Sequence, residues 1–122
     1  MARPDEELHS FIGSSFRSVW ALELVLLLKS EKRHWSRDEL VTTLRASDLV
    51  VSNALDGLVA AGVASVDADG AVYTPVNAGI GECVDEVEQL YRTKPNAVRR
   101  SIIAASASSA TAFADAFKLR KD

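Results

Sequence analysis

Two helix starts eleven residues apart, then a glycine stop and an Asp/Gly turn, leave residues 36–74 little conformational freedom. In Trp35-Ser36-Arg37-Asp38-Glu39, Ser36 is a cap and Glu39, three residues on, completes a capping box. Trp35 precedes the cap, where it can staple to Leu40. A short helix from Arg37 to about Arg45 turns Leu40, Val41 and Leu44 inward. Ser47 caps the next helix, in which Val51, Ala54, Leu55, Leu58 and Val59 recur at helical spacing. Gly62 stands where a left-handed residue ends a helix. Val63–Val66 and Ala71–Thr74 read as strands around the turn Asp67-Ala68-Asp69-Gly70, and Pro75 stops the hairpin.

The flanks are helical too. Ser14 or Ser15 is the expected cap of a first helix through Phe16, Val19, Trp20, Leu22, Val25, Leu26 and Leu28. Its apolar positions wrap most of the way round, which predicts a central, buried helix. Residues 1–13 read as a frayed or loosely docked leader. After the hairpin, a helix from Ala78 to Arg92 carries Ile80, Val84, Val87 and Leu90 or Tyr91 as its stripe. Lys94-Pro95 breaks it, because the residue before proline disfavours the α region. Asn96–Ala105 is a further helix with Val98, Ile102 and Ile103. Residues 106–111 are a linker or a tight helical contact, and Phe113 and Phe117 lie four apart on a last helix over 112–119. The expected division is a leader (1–14), a domain (15–76) and a C-terminal helical extension (77–122).

Several chemistries have no residues to carry them. With one cysteine, Cys83, a disulfide framework and a Cys-rich zinc site are excluded. Cys83 reads as a small core residue. A catalytic thiol needs a base, and only His9 and His34 exist, neither with a visible reason to meet it. Gly79-Ile80-Gly81 lacks the third glycine and the preceding strand of a phosphate loop. Glu82, Asp85, Glu86 and Glu88 read as a solvated helix face, His34 as a turn residue, Trp20 as core and Trp35 as the staple. The expectation is a non-enzyme with no cofactor and no metal site. The longest apolar run, around Val19–Leu28, contains Glu23 and falls short of the ~20 residues of a membrane span. The N-terminus has no basic stretch leading into an apolar one, so a cytoplasmic protein without a membrane anchor is expected.

Three helices followed by a two-stranded hairpin resemble the winged helix-turn-helix arrangement. Trp35 to Leu40 looks like the start of the second helix of bacterial winged-helix regulators. Ser47 through Asn53 to Val63 is similar to their recognition helix running into the first wing strand. The later helices resemble the dimerisation extensions of MarR- and PadR-like regulators in a general way. The fold class this implies is mainly α with a small β-hairpin, a winged helix-turn-helix plus a C-terminal helical extension. It further implies a DNA-facing surface on residues 48–61 and a turn tip reaching the backbone or minor groove.

The charge pattern departs from that family. From Ala46 to Tyr91 there is no Lys or Arg, and the segment carries a formal charge of −8 against +5 for the rest. DNA binding rests on Lys and Arg neutralising phosphates. With Val51, Leu55 and Leu58 inward, the outward face shows Leu49, Asn53, Asp56 and Ala60. Asn53 can read adenine, whereas Asp56 beside phosphates repels. Basic residues lie elsewhere: Lys29, Lys32 and Arg33, then Arg37 and Arg45, and later Arg99, Arg100, Lys118, Arg120 and Lys121. The expected contact residues, for DNA or for a protein partner, are Arg37, Arg45, Ser47, Asp48, Leu49, Ser52, Asn53 and Asp56. The expected partner also includes a second copy of the chain, docked through Val84, Val87, Tyr91, Ile102, Phe113 and Phe117. Alternatively, the apolar stripes of the later helices pack on the chain's own first helix.

Overall fold

The computed structural model describes residues 5–105. The expected helix over 112–119, with Phe113 and Phe117, lies outside them. The described chain is mainly helical with one antiparallel hairpin. Its elements are α1 (Asp5–Ser15), α2 (Val19–Ser30), α3 (Arg37–Leu44), α4 (Asp48–Ala60), β1 (Ala64–Asp67), β2 (Gly70–Tyr73) and α5 (Ala78–Thr93), then α6 over 95–105.

The N-terminal segment corrects the expectation of a loose leader. It forms α1, whose Leu8 and Ile12 are buried together with Phe16 just beyond its end. Those three residues lie four apart, one apolar stripe of a helix. Phe11 meets Phe16 edge-on, with ring centroids 5.9 Å apart. The cap of α2 is Ser18, not Ser14 or Ser15. Ser18 is extended, and its side chain accepts from the Ala21 amide at 3.3 Å. Ser14 instead donates back to the Phe11 carbonyl within α1. The chain turns through 97° between the two helices.

α2 is the central helix, burying Ala21, Leu22, Leu24, Val25 and Leu28. It packs against α4, α3 and β2, while α1 lies on α5. One cluster of buried residues runs from Leu8 to Ile102, so the leader, the middle segment and the extension share a core. Trp20 is the exception on α2: it is 41% exposed, not core. Cys83 is buried, as expected.

The capping box at Ser36 forms in both directions, with Ser36 accepting from the Glu39 amide and Glu39 from the Ser36 amide. Ser47 caps α4 by accepting from Val50 at 3.2 Å. Gly62 follows the end of α4 with φ of +77°, the left-handed conformation its position demands. The hairpin register pairs Ala64 with Tyr73 and Asp67 with Gly70, which leaves a two-residue turn. Trp35 adds a short third rung. Its amide donates to the Ala71 carbonyl at 2.7 Å, and the Ala71 amide returns the bond at 2.8 Å. Among the described residues no single helix is long and apolar enough to cross a membrane.

Candidate interaction surface

α4 is amphipathic, as its spacing predicts. Val51, Ala54, Leu55, Gly57 and Leu58 are buried. Ser47, Asp48, Leu49, Asn53, Asp56 and Ala60 are exposed, and Ser52 is half-buried. Leu49 is 69% exposed. Val59, part of the apolar repeat, is exposed as well. The hairpin continues this acidic, partly apolar surface with exposed Val66, Asp67 and Asp69. Asp48 and Asp56 make no ion pair among the described residues.

Arg37 and Arg45 are exposed at the two ends of α3. Arg37 lines a groove with Leu55 of α4 and the hairpin turn. Arg45 closes α3 in the left-handed region, φ 56°, its amide bonded to the Val41 carbonyl. A non-glycine residue there is uncommon and carries some strain.

Arg17, which the sequence did not single out, joins this surface, and so does Trp20, which it placed in the core. Arg17, in the connection between α1 and α2, lies across Gly57; a Cβ on Gly57 would stand 3.3 Å from Arg17 Cδ. Arg17, Ser18 and the exposed Trp20 then line a groove with Val50, Asn53 and Ala54 of α4. Nothing local in the sequence marks this, because it depends on how α2 crosses α4.

Other basic residues are drawn into the fold. Lys29 meets Glu88 at 2.7 Å and Asp85 at 3.1 Å, and the Glu88 bond above all raises the Lys29 pKa. Glu88 of the expected wet face of α5 is therefore drawn into a seam with α2, while Asp85 stays 63% exposed at its edge. Arg33 pairs with Glu39 at 3.0 Å and lies 3.9 Å from the Trp35 ring centroid, a cation–π stack. The Arg33 hydrogen bond holds the Glu39 carboxyl below its ordinary range, with the Ser36 amide assisting. Arg99 bonds the Tyr91 hydroxyl and stacks on its ring.

Of the residues expected to join a second copy, Phe113 and Phe117 lie outside the described residues. Val84, Val87 and Ile102 are fully buried in the chain's own core. Tyr91 is half-buried and donates to Glu23 of α2 at 2.7 Å. The alternative reading placed these stripes on the first expected helix, now α2; α5 instead lies on α1, the segment read as a leader, and reaches α2 through Tyr91–Glu23 and Lys29–Glu88.

At the hairpin tip, His34 Nε2 lies 3.0 Å from Asp67 Oδ2. Asp67 Oδ1 accepts from the Asp69 amide at 2.8 Å. The Asp69 amide first, then His34, keep the Asp67 carboxyl below its usual pKa. Possible ligand atoms of His34, Asp67 and Asp69 all fall within 4.8 Å of one another, so the turn histidine belongs to a potential metal-ligand group. The signal was divided between segments 33 residues apart in sequence, which the Trp35–Ala71 rung brings side by side. The chain matches no protein-family model, no curated protein and no solved structure.

Proposed function

We propose that this chain is a winged-helix protein of transcription regulation that acts through protein–protein contacts. In this reading α2, α3 and α4 are the helical triad, α4 is the recognition helix and β1–β2 the wing. The observation that carries it is the exposed face of α4 and the hairpin. It presents Asp48, Asp56, Asp67 and Asp69 beside exposed Leu49 and Val66, with no Lys or Arg between residues 46 and 91. Such a face repels a phosphate backbone and attracts a basic, partly apolar protein surface. The activity is non-catalytic.

A second reading has one specific observation in its favour. Arg17 lies across Gly57 beside Asn53, and Arg37 and Arg45 stand at the ends of α3. These cations come from outside the acidic segment, and together they flank the helix that a dimeric DNA-binding regulator would place in the major groove.

A salt series of binding to random genomic DNA fragments separates the two. The protein-contact reading expects no retention at low salt. It also expects a captured protein partner to be lost in Leu49→Lys and Asp56→Lys. An enriched palindromic motif with a steep negative salt slope, abolished by Arg45→Ala and Asn53→Ala, would replace it with the DNA reading.

A further inference from the structure

The hairpin turn and the loop before α3 bring together one imidazole and two carboxylates. We propose that His34, Asp67 and Asp69 form a binding site for a divalent first-row transition-metal ion, each side chain giving one ligand atom. The inference stands apart from the proposed function, since it needs only the tip of the hairpin.

The ligand set is mixed. An imidazole nitrogen with carboxylate oxygens suits zinc and its first-row neighbours, whereas calcium and magnesium take oxygen ligands. The spacing suits such an ion as well. Ligands at roughly 2.0–2.2 Å from a metal lie about 3–3.5 Å from one another. The His34–Asp67 pair already stands at 3.0 Å. No ligand atom of the three is more than 4.8 Å from another, so closing the set is within reach of a staggered side-chain rotation of Asp69. The Asp69 carboxylate accepts no hydrogen bond or ion pair among the described residues, and it is free to turn.

The backbone behind these side chains is fixed. Trp35, next to His34, exchanges both backbone bonds with Ala71. Gly70 approaches so closely that a Cβ there would stand 2.3 Å from the Trp35 oxygen. The Asp69 amide fixes the Asp67 carboxylate at 2.8 Å. The two halves of the site are thus held opposite each other before any ion arrives, which lowers the ordering cost of binding. All three side chains are exposed, so water completes the coordination. A bound ion would cancel the charge of both carboxylates at the tip.

The test is calorimetric titration of the untagged full chain with zinc chloride near neutral pH, alongside thermal melts with and without zinc. The expected result is one zinc per chain, a zinc-dependent rise in Tm, and at least tenfold weaker binding in both His34→Ala and Asp69→Asn. Both residues are exposed, so both variants should fold without the ion, which the zinc-free melts verify. No binding up to about 1 mM zinc overturns the proposal. Wild-type affinity in either variant also overturns it, because the ion then sits elsewhere.

Discussion

α5 and the α4–hairpin face draw on the same basic-free stretch of chain, yet they use their carboxylates in opposite ways. On α5, Asp85 and Glu88 clasp Lys29 of α2, and Arg92 approaches Glu88 at 3.7 Å. These acids close a seam between two helices of the core. On α4, Asp48 and Asp56 face outward with no ion pair among the described residues. On the hairpin, Asp67 is held by a backbone amide and a histidine. A charge of −8 counted along the chain therefore overstates the acidity offered to a partner. The seam acids serve the fold, and the outward face carries the four aspartates of α4 and the hairpin.

The sharpest way to break this comparison is to detach the hairpin. Gly70 has φ of +125°, and a side chain there would collide with the Trp35 carbonyl. Gly70→Val should cost about 3 kcal/mol, combining a forbidden backbone conformation with loss of the Trp35–Ala71 rung. Urea denaturation measures it. A loss below about 1 kcal/mol would mean that the hairpin does not depend on this clamp, and its aspartates would have no fixed place relative to α4.

The next test compares an acid-binding cation with an unpaired acid. Lys29 is only 19% exposed and serves two carboxylates. Lys29→Ala should cost about 1 kcal/mol, the upper end for ion pairs near a surface, because Asp85 and Glu88 are left facing each other. Asp56→Asn should change stability by less than about 0.5 kcal/mol, as befits an exposed position with no partner. Equal losses in the two variants would erase the distinction between seam and surface.

Local rules made much of this fold legible. The capping box at Ser36, the cap at Ser47, the stop at Gly62 and the Asp/Gly turn all involve residues within a few positions of each other, and each formed where the sequence put it. The outward face of α4 followed from helical spacing alone. What failed was of two kinds. The stripe Leu8, Ile12 and Phe16 was present in the sequence, but the polar start of the chain concealed it as a leader. The rest depends on tertiary placement. Trp20 reads as core by composition, yet it lies on the side of α2 that opens into the Arg17–Asn53 groove. Val84, Val87 and Ile102 read equally well as a dimer face or as core, and a stripe has no way of naming which helix will cover it. His34 acquired its partners only because the Trp35 rung carries it to the hairpin.

The smallest expected effects lie at the two extremes of pH, and they fall in opposite directions for the two regions. The folded pKa of Asp67 is depressed below its ordinary 3.8. Its contribution is therefore present above that value and lost as pH falls through the depressed one. Lys29 is the mirror case: its folded pKa is raised above 10.5, so its contribution is complete below that value and lost as pH rises through the raised one. The hairpin should loosen in acid through Asp67 and the α2–α5 seam in alkali through Lys29. Thermal melts of Asp67→Asn against the unmodified chain should show a Tm difference that shrinks below pH ~4, and Lys29→Met a difference that shrinks above pH ~10.5. The Asp67 effect is the smaller because that carboxylate is exposed and water screens its bonds. If both differences stay constant across pH, charge is not what these side chains contribute, and the contrast between the two regions reduces to packing.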